Sequence, residues 1–359
     1  MIVFIILLLV PMAIQHIVVG RKNTNYEKRN KRALFFFFAF FIVLVMLRHE
    51  SVGSDTENYI YYFDVFKNME WSRVGQHTME AGFAYFNKAI SLFTSNPQVF
   101  LAVAAIITGS MMYPTYRRLC VDASFTIILF VIMSTFVMMF SGIRQMIAVG
   151  IGFIAYEFTR RKKLIPFILM VFLAMSFHTS AFMLFFMYPV FHAKITKKWL
   201  YVVVPALIAF FIFNEEIFSF LRLFIEQYTV YDGTMVHTGA YMMLILFVFF
   251  AVFAFVVPDE NLIDKETIGL RNLLLLSIVI QMFAPLHSLA MRMNYYYLVF
   301  IPLLMPKIVE CRSEKWKQVA TLGRNVIVIF FLFYFFFIKV NGEGNLHVFP
   351  YHFFWENLQ

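Results

Sequence analysis

Apolar segments of roughly membrane-spanning length alternate with short polar connections along the whole chain. A helix needs about 20 apolar residues, and at least about 17, to cross the hydrocarbon core of a bilayer. This pattern predicts about twelve spans, at residues 1–19, 33–47, 97–114, 123–140, 144–159, 164–177, 180–193, 199–214, 239–257, 271–286, 294–309 and 324–340. Residues 1–19 lack a basic region ahead of the apolar stretch and a small-residue cleavage site, so we interpret them as a span rather than a signal peptide.

The positive charges give the predicted orientation. Lys and Arg cluster at residues 21–32, 117–118, 160–163, 194–198, 258–271 and 307–324, which together hold 22 of the 30 in the chain. The positive-inside rule places these connections in the cytoplasm. Both termini, the loops 48–96 and 214–238 and the tail 341–359 are then extracytoplasmic. The predicted fold is all-α, a single polytopic transmembrane domain over residues 1–359 with short interfacial helices in the outer loops.

Composition agrees with this architecture and excludes several classes of function. The chain is 61% hydrophobic and 14% charged, whereas a soluble domain has about 45–50% apolar and about 25% charged residues. The net charge of +9 lies in short connections between spans, which favours a membrane protein over a nucleic-acid-binding one. Cys120 and Cys311 fall in predicted cytoplasmic segments, so we expect no disulfide and no cysteine metal site. We predict no metal and no other cofactor.

Two predicted helical hairpins are too short to reach across the membrane and back. The segment between two cytoplasmic clusters, residues 164–193, has 30 residues. Two helices of about 14 residues rise about 21 Å each, less than a hydrocarbon core of about 30 Å. The turn over residues 176–180 should therefore lie below the outer surface, as should the turn over residues 141–144. Irregular backbone at that depth must be buried in protein or line a wet cavity, so we predict an outward-facing cavity.

The first outer loop carries two predicted amphipathic helices. Asp55 is the predicted N-cap of a helix over residues 56–69, which has aromatic side chains along one face. A second helix is predicted over residues 80–93. Aromatic amphipathic helices of this kind favour the membrane interface.

Three predicted outer arginines, Arg48, Arg144 and Arg292, lie at the ends of apolar spans. Charge at that depth is costly unless it faces a cavity or a partner. The guanidinium fork fits phosphate or carboxylate. An interfacial anchor is the alternative for Arg48 and Arg292. An ion pair with Glu80 or Asp55 is the alternative for Arg144, for which we favour ligand binding.

Three side chains are candidates for a general base. His178 lies in the deep turn of the short hairpin, and imidazole titrates near neutrality. A histidine bonded locally to Thr179 or Ser180 is the alternative interpretation. Asp55 and Glu80 are the rival bases. We find no histidine and carboxylate pair with metal-ligand spacing on one helix.

Six segments of the chain, in the same order, resemble the EpsG family of bacterial polysaccharide polymerases, which belong with the Wzy-like polymerases. The segments are LRHESVGSDTENYIYYF (47–63), MEAGFAYFNKAI (79–90), SGIRQMIAVGIGFIAY (141–156), FILMVFLAMSFHTSAFML (167–184), MRMNYYYLVFIPLLMP (291–306) and VFPYHFFW (348–355). The sequence departs from the family pattern at Ser54, where Thr often precedes the aspartate. The recurring polar positions of the family match Arg48, Gly53, Asp55, Glu80, Arg144, His178 and Arg292.

The resemblance implies a glycosyltransferase of the bacterial inner (cell) membrane whose active site faces the periplasm or the outside. Such enzymes join oligosaccharide repeat units carried on undecaprenyl pyrophosphate. From the chemistry of the side chains we expect the three outer arginines to bind the pyrophosphate leaving group. We expect His178, Asp55 or Glu80 to activate the acceptor hydroxyl, and Tyr59 and Tyr295 to stack on sugar rings. The predicted partners are these lipid-linked glycans, membrane lipid, and chain-length regulator and flippase proteins, with no nucleic acid.

Two other functions are alternatives. A lipid-linked glycan flippase or transporter would carry polar residues near the midplane in repeated halves, whereas here the polar residues gather on one side and no repeat is found. A membrane O-acyltransferase using His178 would need a polar cytoplasmic site, and none is evident. The sequence does not specify the sugars, their linkage and stereochemistry, the O-antigen, capsule or exopolysaccharide pathway, or the oligomeric state.

Overall fold

The computed structural model describes residues 2–17, 26–222, 238–339 and 346–358. The chain divides into two compact units, one made of Met1–Phe185 with Thr321–Gln359 and one made of Phe186–Ala320. Within the described residues both units are helical, and the only β-type pairings are two isolated bridges. The all-α prediction is therefore confirmed for this part of the chain.

The first unit contains ten of the α-helices that we number in chain order and most of an eleventh, α18. They are α1 Ile2–Ile17, α2 Tyr26–Met46, α3 Thr56–Asn68, α4 Trp71–Val74, α5 Ala81–Ser91, α6 Pro97–Leu119, α7 Ala123–Ile132, α8 Ser134–Ser141, α9 Ile143–Arg160, α10 Leu164–Phe177 and, late in the chain, α18 Lys317–Tyr334. A 3-10 helix, Thr179–Phe186, follows α10, and a π-helix, Phe335–Lys339, follows α18. The segment 346–358, here called the tail, completes this unit.

The second unit contains the remaining described helices. They are α11 Met187–His192, α12 Leu200–Ile212, α13 Asn214–Arg222, α14 Thr238–Val256, α15 Lys265–Gln281, α16 Ser288–Leu298 and α17 Ile301–Glu310. Inside this unit, the buried Asn294 side chain accepts from Ser277 at 2.7 Å and donates to Gln281 at 3.0 Å, which ties α15 to α16. Most of the predicted loop 214–238 and residues 341–345 of the predicted outer segment lie outside the described residues.

Three described helices are both long and apolar enough to cross a membrane, and the number rises to five if each of two bent helix pairs counts as one span. The predicted count of twelve spans is not confirmed. Several predicted spans are short or interrupted. The helix α10 has 14 residues, as predicted for the short hairpin. The predicted span 180–193 is instead a 3-10 helix followed by the six-residue α11.

Two further predicted spans are interrupted. Residues 123–140 form α7 and α8, because Met133 between them is extended with ψ 147°. Residues 294–309 are divided between α16 and α17, and Pro302 occupies the first turn of α17. Proline has no N–H and its ring clashes with the carbonyl four residues earlier, so it starts a helix more readily than it continues one.

The core of the first unit is mainly aromatic. The Phe4 ring makes edge contacts with Phe136 at 5.7 Å and with Tyr351 of the tail at 5.8 Å between centroids. Phe41 stacks on Phe136 at 5.2 Å. Edge-to-face and offset aromatic pairs add about 0.5–1.5 kcal/mol each beyond the area that they bury. These contacts join α1, α2, α8 and the tail.

A polar cluster lies about 16 Å further along α1, at Gln15, given the helical rise per residue. The Gln15 amide donates to Asn30 at 3.0 Å, and Asn30 donates to the Val121 carbonyl at 2.7 Å. The Arg324 guanidinium pairs with Asp122 at 2.6 Å. Buried polar networks of this kind fix the register of the helices that they join, here α1, α2, α7 and α18.

Candidate active site

The centre of the candidate site is a carboxylate that bonds to two other segments of the chain. One oxygen of Glu80 accepts a short hydrogen bond from Nη1 of Arg144. The other accepts from the backbone N–H of Thr179 at 3.1 Å and from its hydroxyl at 3.3 Å. Three segments that the sequence singled out separately therefore meet at one carboxylate. Arg144 thus forms the ion pair with Glu80 that was the alternative to ligand binding in the sequence analysis.

The helix ends explain why these side chains meet. Glu80 occupies the N-cap position of α5, Arg144 is the second residue of α9, and Thr179 follows the end of α10. At Gly82 an added Cβ would collide with the backbone carbonyl of Ser176. Glycine at this position therefore lets the start of α5 approach the end of α10 closely enough for the hydrogen bonds to Thr179.

The electrostatics of this pair favour the charged forms. The side chains of Glu80 and Arg144 are 16% and 25% exposed. Burial opposes ionisation of Glu80, but the Arg144 guanidinium and the backbone N–H donors outweigh it and lower the pKa of the Glu80 carboxyl. The Arg144 guanidinium also lies 5.9 Å from the centroid of the Phe83 ring. Glu80 is thus an ionised acceptor held by three donors.

Tyr59 links Arg144 to the first part of the outer loop. Its ring is 6% exposed and makes an edge contact with Phe83 at 5.6 Å. Its phenol interacts with Arg144 through a side-chain hydrogen bond and electrostatically with Asp55. The ring packs against protein, so sugar stacking by Tyr59 stays a prediction.

Asp55 lies in a turn that is fastened to the start of α9. Its backbone N–H donates to the Ser141 hydroxyl at 3.3 Å, and the Ser54 hydroxyl lies 2.9 Å from the same oxygen. Asp55 occupies the predicted N-cap position of α3, but its side chain makes no capping hydrogen bond. Within the part of the chain that is described, no side chain donates to its carboxylate. The half-buried Asp55 carboxylate is therefore a hydrogen-bond acceptor that no described side chain uses.

Gly53 gives this turn its shape. Its φ is +94°, in the region that favours glycine, and an added Cβ would collide with the Phe140 carbonyl. The Thr56 hydroxyl donates to the same carbonyl at 3.2 Å. The turn therefore needs glycine both for its conformation and for its approach to the end of α8.

The tail is bonded to this same loop through its backbone. The N–H groups of Gly53 and Ser54 donate to the carbonyls of His347 and Leu346, at 3.2 and 2.8 Å. Further along, Arg48 and Phe353 form an isolated antiparallel bridge. The loop and the tail consequently lie on the same side of the membrane, and the identity of that side stays a prediction.

Arg48 is buried beneath this loop. It is 1% exposed, so it does not snorkel to the interface. Nη1 donates to the Val45 carbonyl at 2.5 Å, while Nε and Nη2 have no hydrogen-bond partner in the described chain. Burial lowers the pKa of the guanidinium to about 10, so it stays charged at neutral pH. It borders a cavity of about 10 Å³ between α2, α6, α8 and α9, which is about the space of one water molecule.

His178 takes part in a local turn. Its Nδ1 accepts from the backbone N–H of Ser180 at 3.3 Å and lies 2.7 Å from the Ser180 hydroxyl. Three other described histidines, His49, His77 and His287, also accept the N–H two residues later at Nδ1. When Nδ1 is the acceptor, the proton of a neutral imidazole is on Nε2. These contacts hold the His178 ring in the turn through its Nδ1.

Arg292 and Tyr295 belong to the second unit. Both lie on α16, where Arg292 is exposed and Tyr295 is 4% exposed. Their predicted roles in pyrophosphate binding and sugar stacking stay predictions, as does the convergence of Arg292 with the other two arginines.

Sequence reasoning missed three parts of the site. Ser141 and Thr179, which hold Asp55 and Glu80, lie inside the segments that resemble the family but were not assigned roles. The tail was treated as an aromatic outer segment, without its pairing to the loop. The position of both polar residues beside Arg144 and His178 was the signal that could have identified them.

Comparison with known proteins assigns the chain to a family. Residues 31–353, which are most of the chain, match the EpsG family model. No curated protein and no solved structure shows significant similarity to the chain. The matched region includes the loop, α5, the start of α9, the turn after α10 and most of the tail. The chain therefore belongs to the EpsG family, the family of exopolysaccharide and Wzy-like polymerases.

Proposed function

We propose that this protein is a polysaccharide polymerase that joins oligosaccharide repeat units carried on undecaprenyl pyrophosphate at the extracytoplasmic face of the bacterial cell membrane. The observation that carries the proposal is the meeting of Glu80, Arg144 and Thr179 at one carboxylate in a chain of the EpsG family. The turn that carries Asp55 is fastened to the same end of α9. A fixed arginine at the start of α9 suits the departure of a pyrophosphate, and an unengaged carboxylate in the turn bonded to Ser141 suits the deprotonation of a hydroxyl.

The reaction is a displacement at the anomeric carbon of the growing glycan. A hydroxyl oxygen of the acceptor repeat unit forms a bond to that carbon, and the bond from the carbon to the pyrophosphate oxygen breaks. Undecaprenyl pyrophosphate leaves with the bonding electron pair, and the hydroxyl proton passes to a base. Negative charge grows on the leaving oxygen, so fixed cationic donors that face it lower the barrier.

We assign the role of base to Asp55. The Glu80 carboxylate is held by Arg144 and Thr179, and its lowered pKa makes it a weak proton acceptor. His178 is held in a local turn by the contacts of its Nδ1 with Ser180. Asp55 has no such engagement among the described side chains. Glu80 then acts as a positioning residue for Arg144.

We assign the pyrophosphate contact in the first unit to Arg144. It has a fixed orientation, is partly exposed at 25%, and lies on the outer end of α9. Arg48 borders a cavity too small for a phosphate. We therefore propose that its positive charge stabilises the pyrophosphate electrostatically from beneath the loop, without direct contact. The predicted role of Arg292 in pyrophosphate binding is a separate proposal that concerns the second unit.

The direct test uses purified protein in nanodiscs with lipid-linked repeat units. Wild type should produce longer lipid-linked chains. Arg144→Ala should lower the turnover number by about 100-fold or more, because a lost donor to developing charge commonly costs that much. The matched control is Arg161→Ala, which removes an arginine that pairs with Glu157 at 3.6 Å on the predicted cytoplasmic side. Wild-type protein that binds the substrate but never extends it contradicts the proposal.

The roles of the base candidates are tested separately. Asp55→Asn should reduce turnover by about 100-fold or more, the usual contribution of a general base. His178→Asn keeps an oxygen that can accept the Ser180 N–H as asparagine does in turns, but removes Nε2. If His178→Asn retains both stability and full turnover, His178 is only a turn residue.

A further inference from the structure

Two exposed aromatic rings form a pair on the surface of the first unit. Trp71 on α4 and Tyr85 on α5 are 48% and 43% exposed. Their centroids are 6.3 Å apart and their planes are 18° from parallel. At that separation parallel rings are offset rather than sandwiched, so each keeps part of its face open. The pair therefore offers two nearly parallel ring faces that are offset from each other.

The pair rests on a packed base. Phe66, Val74 and Ala84 form a buried cluster of α3, α4 and α5. The Lys88 ammonium lies 5.8 Å from the Trp71 centroid and donates to a backbone carbonyl of α3 at 2.9 Å. Rings held in this way lose little conformational entropy on binding, which makes them effective contact residues.

The surroundings of the pair are polar. Glu70 and Arg73 flank Trp71 and approach each other at 3.7 Å, and Gln76 follows at the end of α4. All three are exposed. Lipid-facing helices expose continuous aliphatic surface, whereas this surface is two rings edged by charge and amide. A sugar has an apolar C–H face and a hydroxyl rim, so its chemistry matches a ring face edged by hydrogen-bonding groups.

One member of the pair, Tyr85, lies on α5, the helix that Glu80 caps. Tyr85 is five residues after Glu80, a rise of about 7.5 Å along α5. That distance is of the order of one sugar ring. Five residues also turn by about 140° around the helix axis, so the aromatic pair is a separate surface on another face of α5 from Glu80.

We propose that Trp71 and Tyr85 form a glycan subsite that stacks on a sugar unit of the bound glycan other than the reacting one. The assignment rests on the proposed function for its role in polymerisation, but the binding itself is a separate property. It places sugar stacking on exposed rings, whereas Tyr59 and Tyr295 are buried.

Binding is tested without turnover. The probe is a lipid-free oligosaccharide released by partial hydrolysis from the glycan of the source cell, observed by saturation-transfer NMR with full-length protein in nanodiscs. Trp71→Ala and Tyr85→Ala should each weaken binding by about 2- to 10-fold, the range for one aromatic contact. Trp71→Phe should recover most of the affinity that Trp71→Ala loses. Trp199→Ala is the control, since Trp199 is 54% exposed on the predicted cytoplasmic side. Equal binding by wild type and Trp71→Ala overturns the subsite.

A second measurement separates the subsite from a membrane anchor. A variant that keeps Trp71 as its sole tryptophan is placed in nanodiscs with brominated lipids. The subsite is supported if the oligosaccharide protects the Trp71 fluorescence from an aqueous quencher and the brominated lipid quenches it little. Strong quenching by brominated lipid that the oligosaccharide does not change overturns it.

Kinetic measurements distinguish the proposed subsite from the proposed polymerase function. Trp71→Ala should raise KM several-fold for donors with long glycans and leave single-unit donors nearly unchanged, with kcat preserved. A protein that binds the oligosaccharide through Trp71 but extends nothing refutes the polymerase and leaves the subsite intact. A polymerase that is insensitive to Trp71→Ala in both assays refutes the subsite alone.

Discussion

The Glu80–Arg144 pair gives a stability prediction whose size follows from its surroundings. Glu80→Gln keeps an oxygen for Thr179 but turns an amide toward the guanidinium and removes the charge. Exposed ion pairs contribute about 0.2–1 kcal/mol, and removing one partner of a buried pair costs about 3–5 kcal/mol. With side chains 16% and 25% exposed, this pair lies between those limits. We expect Glu80→Gln to cost about 2 kcal/mol, close to the value of a hydrogen bond to a charged group.

The same pair predicts a pH dependence. The pKa of the Glu80 carboxyl is lowered from its ordinary value of 4.5 on folding. Its ionisation therefore stabilises the folded state above about pH 4.5, and the contribution is lost as the pH falls through the lowered pKa. The difference between wild type and Glu80→Gln should be constant from pH 6 to 8 and shrink below pH 4.5.

The assay is thermal unfolding in nanodiscs at pH 7.5 and pH 4. Wild type, Glu80→Gln, Arg144→Met and the double variant form a double-mutant cycle, with an expected coupling of about 2 kcal/mol. Glu70→Gln is the control, because its pair with Arg73 is 75% and 74% exposed and should contribute little. A wild-type advantage that is identical at both pH values, or single variants whose effects simply add, refutes the reasoning.

Three further predictions concern other parts of the first and second units. Gly53→Ala should destabilise the protein by about 1–3 kcal/mol in thermal unfolding, because of the positive φ of Gly53 and the Phe140 carbonyl beside it. Gly239→Ala is the control and should not destabilise the protein, because an added methyl there meets nothing within 4 Å. Tyr351→Phe removes a 2.7 Å hydrogen bond to a carbonyl of α2 and should cost about 0.5–1.5 kcal/mol in the same assay. Cys120 is 8% exposed and burial raises its pKa to about 12, so a membrane-permeant maleimide should label Cys311 first; equal rates would contradict this burial.

Local elements of the fold could be predicted from the sequence. The amphipathic pattern after Asp55 predicts a helix over residues 56–69, and α3 spans Thr56–Asn68. The predicted span 144–159 corresponds to α9, Ile143–Arg160. These features depend on periodicity and on residues within a few positions of one another, which a single sequence contains.

Features that depend on distant segments could not be predicted in the same way. The break at Met133 separates two apolar helices with no proline or glycine between them to mark it. The burial of Arg48 depends on packing by α6, α8 and α9, which hydropathy does not specify. The choice of Glu80 over Asp55 as the partner of Arg144 depends on the close approach of α5 to α10. Each of these is a tertiary contact rather than a local preference.

The pairing of the tail with the loop has a consequence for the order of events during biosynthesis. Tyr351 donates to a carbonyl 307 residues earlier in the chain, and nearby backbone bonds from the tail complete the turn at Gly53 and Ser54. At about 5–20 residues per second, the ribosome needs about 15–60 s to make the intervening chain. During that interval the loop that carries Asp55 lacks these bonds, although the helices beneath it are already made. The turn that carries Asp55 is thus among the last parts of the first unit to be completed, so the proposed glycan transfer has to wait until the tail has been synthesised and has reached the loop.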